Sequence, residues 1–154
     1  MKMLHSLKLF APACCLLLLV FQLSLAQGNP KREVETEFHG CDFELLHLDN
    51  LFLALQDNPA MRAHVIVYAP RVGSRANTAS AFGARMKKYL VVSRKLDGDR
   101  LTVVDGGFRE KLSYEIWLVP EGAETPSPKP TVSRKRVKLR RGRTRLRSCG
   151  EILG

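Results

Sequence analysis

Apolar side chains at Leu45, Leu48, Phe52 and Leu55, with Leu51 beside them, recur at three- and four-residue spacing and predict a helix over residues 43–57. Asp42 is a plausible N-cap, and Asn58-Pro59 stops the helix because a residue before proline is pushed out of the α region. Ala63 to Ala69 (AHVIVYA) is short, β-branched and closed by Pro70, which reads as a strand covered on both faces. A polar turn around Gly73 follows. Ala79, Phe82, Met86, Tyr89 and Leu90 then form a second helical stripe over about 76–94, with Lys87, Lys88 and Arg94 on or near its opposite side. Leu96-Asp97-Gly98-Asp99 is a turn, Arg100 to Val104 a strand, and Asp105-Gly106-Gly107 another turn. Leu112, Tyr114, Ile116 and Leu118 alternate with Ser113, Glu115, Trp117 and Val119, the period of a strand.

Ahead of these elements, residues 27–37 are polar and mixed in charge and read as a linker into a short strand around Val34 to Phe38. The order β-α-β-α-β-β predicts an α/β fold, a two-layer sandwich with a mixed sheet of about four strands and two helices. Pro120 ends the domain, which spans residues 38–120. Residues 121–130 (EGAETPSPKP) form a Pro-rich spacer expected to be extended and poorly packed, and residues 131–154 a basic C-terminal tail in which Arg141-Gly142-Arg143 could turn a short hairpin.

Residues 1–26 place Lys2 and Lys8 before an apolar run from Leu9 to Leu25, with Ser24-Leu25-Ala26 ahead of Gln27, the order of a cleaved signal peptide. The competing reading is a membrane anchor, for which the run is short against the ~20 residues a spanning helix needs. Ala11-Pro12-Ala13-Cys14 resembles a lipoprotein signal but precedes most of the apolar run. Cleavage near Ala26 implies an exported protein, periplasmic or secreted. Of four cysteines, Cys41 and Cys149 then remain, a candidate disulfide in an oxidising compartment; two unpaired thiols or an intermolecular bridge are the alternatives.

The net charge of +10 is local. Residues 27–125 carry 13 Lys or Arg against 14 Asp or Glu, whereas residues 126–154 carry 10 against Glu151 alone. The candidate polyanion-binding residues of the tail are Arg134, Lys135, Arg136, Lys138, Arg140, Arg141, Arg143, Arg145 and Arg147. Aromatic residues are absent after Trp117, which argues against base stacking and hence against nucleic acid as a specific partner. A second candidate group is Arg71, Arg75 and Arg85, which could meet near the start of the second helix, where free backbone N–H groups favour anions.

Catalytic patterns are missing. His39, Cys41, His47 and Asp49 could in principle converge on a metal, but no zinc spacing is present, and no Gly-Lys-Ser/Thr follows Asp105-Gly106-Gly107 as a phosphate loop requires. Ser80 and Ser93 lie on a helix without a nucleophile elbow. No enzyme activity, cofactor or metal is expected.

Residues 41–119 resemble the OmpA-like domain, the module with which many Gram-negative envelope proteins hold peptidoglycan. The matching stretches are Leu48-Asp49-Asn50-Leu51 with Leu55 and Asn58-Pro59, then Val65-Ile66-Val67 before the Gly73 loop. Arg85 opens the run RMKKYLVVSRKLDGDRLTVVDGG, and Tyr114-Glu115-Ile116 sits in the last strand. The resemblance implies that Arg85 contacts the diaminopimelate group of the wall peptide. In that family a loop aspartate assists, but here Pro70 or Arg71 stands in its place, and Leu112 and Ser113 replace a second arginine. The expectation is a non-catalytic envelope-binding module, divergent at its ligand site, whose partners are peptidoglycan, anionic lipid or another envelope polyanion. The alternative is a secreted polyanion-binding factor acting through its tail.

Overall fold

Two apolar stripes and three apolar strands are buried together most economically when both helices lie on one face of the sheet. A computed structural model describes residues 28–147 and Cys149. The segment read as a signal peptide, with Cys14 and Cys15, lies outside these residues, as does the end of the tail at 150–154. In chain order the elements are β1 (Lys31–Glu37), α1 (Cys41–Asp57), β2 (Met61–Pro70), α2 (Thr78–Lys88), β3 (Leu101–Arg109) and β4 (Ser113–Pro120). A π-helical turn at Tyr89–Ser93 continues α2, and a 3-10 turn at Gly98–Arg100 precedes β3. The sheet order is β1-β4-β2-β3, with β4 antiparallel to both neighbours and β2 parallel to β3. This is the mixed α/β sandwich expected.

Leu48, Leu51 and Leu55 of α1 and Ala79 and Met86 of α2 pack with Ala63, Val65 and Val67 of β2 and Tyr114, Ile116 and Leu118 of β4. That layer is the main core. Three local expectations need correction. Residues 31–33 belong to β1 rather than to a linker, because pairing with β4 from Lys31 to Glu37 overrides their polarity, and Lys31–Glu33 and Lys111–Glu37 ion pairs balance the charges. Gly40, without a side-chain hydrogen bond, caps α1, so Asp42 falls inside the first turn. Asp105-Gly106-Gly107 is not a terminating turn: the register with β2 shifts between Val67 and Ala69, and β3 continues to Arg109 through a bulge. Gly106 is required there, since a Cβ would lie 2.5 Å from the Tyr68 ring.

The second face of the sheet carries a feature the composition does not announce. Residues 121–130, expected to be extended and poorly packed, stay largely exposed with none buried, but with Thr131 and Val132 they form a strap tied by a few hydrogen bonds over the face bearing Ile66, Tyr68 and Glu115. The Lys129 amide donates to the Tyr68 hydroxyl at 3.0 Å, and the amides of Thr131 and Val132 donate to the Phe108 carbonyl. Val132 is buried and bridges to Phe108. Three prolines lower the conformational entropy lost on docking, so a few hydrogen bonds suffice to hold the strap. Beneath it, Arg109 stacks 3.7 Å above the Tyr68 ring and pairs with buried Glu115, which also accepts from Tyr68 at 3.1 Å and from Trp117 Nε1 at 3.0 Å. Glu115 is a satisfied structural carboxylate.

His64 sits on the same face, 5% exposed, and neither ring nitrogen has a hydrogen-bond partner among the described residues. Burial pushes its imidazole below the ordinary 6.5, and the Pro126 backbone offsets only part of that. A depressed folded value means that the stability tied to neutral His64 is present above pH 6.5 and is lost as pH falls through the folded value. His64→Leu is therefore expected to raise the unfolding free energy by about 1 kcal/mol at neutral pH and to flatten its decline in acid. Urea unfolding at several pH values between neutrality and about pH 5 checks this; an unchanged profile would place the acid sensitivity elsewhere, with His47 the next group to test.

Candidate functional site

The basic tail follows directly from the strap and does not hang free. Beyond Val132 the chain makes a 3-10 turn at Arg134–Arg136 and buries Val137. It bends at Gly142, whose φ of +87° suits glycine, and forms no hairpin there. The Arg140 amide donates to the Ser74 carbonyl at 2.8 Å. Thr144 is gripped on both sides by Asn77: its amide donates to Asn77 Oδ1 at 2.7 Å, and its carbonyl accepts from Asn77 Nδ2 at 3.1 Å. Its hydroxyl lies 2.9 Å from that of Thr78. Cys149 is joined to Cys41 by a disulfide across 108 residues. The expected bridge is thus formed, and the tail is a clamped extension of the strap.

All nine cations of this segment are exposed: Arg134, Lys135, Arg136, Lys138, Arg140, Arg141, Arg143, Arg145 and Arg147. None of them pairs with a carboxylate among the described residues. Arg134 lies over the Phe108 ring and donates to the Val137 carbonyl. Pinning the backbone at Phe108, at residues 74–78 and at Cys41 holds the charges in place. The result is a fixed array of cations open to solvent, suited to binding polyanions by counterion release.

The other candidate group does not converge. Arg71 pairs with Glu110 at 2.8 Å, and Arg75 donates to the Arg141 carbonyl at 3.3 Å. Arg85 turns inward, where it pairs with Glu44 and donates through Nε to Glu44 Oε1 at 3.0 Å. The Phe38 and Phe82 rings lie 5.4 and 4.6 Å from its guanidinium carbon. Cys149 covers the pair, its sulfur 3.8 Å from Glu44 Oε1. The start of α2, expected to offer backbone donors to an anion, is occupied by Thr144.

Burial pushes the Glu44 carboxyl above its ordinary range, and the Arg85 hydrogen bond and charge pull back only part of the shift. Burial, together with the charge of Glu44, pushes the Tyr114 hydroxyl up to about 12, so it stays protonated, 2.8 Å from His47 Nδ1. Three of the four residues weighed as a metal set are committed elsewhere, Cys41 to the disulfide, His47 to Tyr114, and Asp49 to Arg94 and Tyr89, while His39 lies beside the Phe43 ring. Among the described residues no three of His, Cys, Asp and Glu gather as metal ligands.

Glu44 and Arg109 were missed in the sequence. Glu44 carried a signal, for it shares the spacing of Leu48, Leu51 and Leu55 and so falls on the buried stripe of α1. Arg109 carried none, because its partners Glu35, Glu115 and Tyr68 come from three other strand positions. No known family profile matches the chain, and no curated protein matches it.

Proposed function

We propose that the chain is a non-catalytic, exported binding module that holds an anionic polymer or surface of the cell envelope on its clamped basic strap. The observation that carries this reading is the row of nine exposed cations between Val132 and Cys149, none facing a carboxylate among the described residues. An OmpA-like ancestry accounts for the order of elements and for Arg85. A wall-peptide site of that type needs a free guanidinium, however, and Arg85 is engaged by Glu44. The geometry therefore favours the strap over Arg85 as the binding group. A secreted factor acting through its tail would use the same residues, so the two readings differ only in where the protein works.

The test is retention of the mature chain, residues 27–154, on immobilised heparin and its co-sedimentation with purified peptidoglycan, each across a salt series. Arg140→Gln, Arg141→Gln, Arg143→Gln and Arg145→Gln together are expected to reduce the slope of log affinity against log salt by about three to four on heparin. Arg85→Ala should leave that slope unchanged. Retention on peptidoglycan that survives about 0.5 M salt and the four substitutions, but is lost in Arg85→Ala, would overturn the proposal in favour of a wall-peptide site.

A further inference from the structure

Residues 123–127 of the strap run between two voids. A cavity of about 390 Å³ lies on one side, toward residues 28–30, and one of about 320 Å³ on the other, between Ala123 and Thr125 of the strap and His64 and Thr102 of the sheet. A chain walled by voids forfeits the dispersion contacts that hold a packed one. Gly122, at a φ of +79°, turns the chain just after Glu121 is tied to Arg62. At the other end the Lys129 amide donates to the Tyr68 hydroxyl, before Thr131 and Val132 fasten to Phe108. His64, at the wall of the second cavity, is 5% exposed, and its two ring nitrogens have no hydrogen-bond partner among the described residues. The Pro126 backbone approaches the ring without closing a hydrogen bond.

A protonated His64 would meet no free carboxylate. On β2 its charged neighbour on this face is Arg62, itself a cation. Across the sheet it faces Thr102 of β3 and Trp117 of β4, both uncharged. Glu115, further along β4, is held by Arg109, Tyr68 and Trp117, and Arg32 of β1 adds a cation over the Trp117 ring. From the strap, Glu121 is committed to Arg62, Glu124 lines the far cavity, and Lys129 is a further cation. We propose that His64 is the trigger of an acid-sensitive lever: protonation of its ring lifts residues 122–129 off the sheet, breaking the Lys129 bond to Tyr68, while the ties at Glu121 and Phe108 hold. Water then enters the two cavities and supplies the acceptors that the closed strap denies an imidazolium. The opening is local, because the few contacts broken lie outside the core shared by the helices and the sheet. Its sign follows from burial, which disfavours the charged ring in the closed form: the strap is closed above pH 6.5 and gives way as pH falls.

The test is amide hydrogen exchange of the disulfide-bonded chain, residues 27–154, read as protection factors so that the intrinsic pH dependence of exchange cancels. The Lys129 amide reports the strap, and the Val65 amide, in the central strand, reports the core. The Lys129 protection factor is expected to fall by about five- to tenfold between about pH 6.5 and 5.5, and to keep its value over that range in His64→Leu. Added urea, to about 1 M, should leave Lys129 exchange unchanged while speeding exchange at Val65, because a local opening exposes little new surface and global unfolding exposes much. The proposal is overturned if Lys129 keeps its protection in acid, if His64→Leu loses it as the wild type does, or if Lys129 responds to urea as steeply as Val65. Should His64→Leu not fold, NMR titration of the His64 ring in the wild type decides: a midpoint below 6.5 is expected, and one at or above 6.5 would leave nothing to drive the lift and so overturn it.

Discussion

Cys149→Ser is expected to lower the unfolding free energy by about 4 kcal/mol. The bridge closes a loop of 108 residues, and in the chain-entropy account opening it returns about 4 to 5 kcal/mol of conformational freedom to the unfolded chain. Without it, the segment after Val132 is held by non-covalent contacts alone, among them Arg140 to Ser74, Arg141 to Arg75, Thr144 to Asn77 and Thr78, and the burial of Val137. Urea unfolding under non-reducing conditions measures the loss, and reduced wild type should match the variant. A midpoint that barely moves would mean that the unfolded chain keeps its ends close without the bridge.

Glu44→Ala is expected to cost about 3 to 5 kcal/mol, because it strands a guanidinium that is only 11% exposed between two aromatic rings. Removing both charges with Glu44→Leu and Arg85→Met should recover most of that loss. A pair of this kind contributes little net stability while being expensive to break, and a double-mutant cycle separates the two. Glu44 also has a pH signature. Its folded value is raised, so the stability tied to it is fully present below pH 4.5 and is lost as pH rises through the folded value. Asp49 behaves in the opposite sense: burial pushes it up, but the Arg94 and Tyr89 hydrogen bonds outweigh that and hold it below 3.8, so its contribution is present above 3.8 and lost as pH falls. Glu44→Ala should remove the first dependence and leave the second. Additive single substitutions would show that the two side chains do not act as a pair.

The helices and central strands were legible because each announces itself within its own segment: the stripe from Leu48 to Leu55, the apolar run of β2, the alternation in β4. What escaped depends on distant partners. The sequence KREVETE reads as a linker until β4 pairs with it, and Gly106-Gly107 reads as a turn until Tyr68 is seen lying over Gly106. The spacer's composition predicts extension correctly, but its docking depends on a sheet face that no local pattern reveals. In the site, the cations were legible one by one as exposed charge, whereas the fate of Arg85 depended on Glu44, 41 residues earlier.

Every cation from Arg134 to Arg147 lies between the Val132 bridge to Phe108 and the covalent link to Cys41. A free basic tail can be peeled from an anionic surface one charge at a time, starting at its end. Here the charges are tied at both ends, and a pull on any of them is shared between β3 and the first turn of α1. Detachment then requires the charges to let go together, so an attachment through this segment should resist shear far better than the strength of each contact suggests.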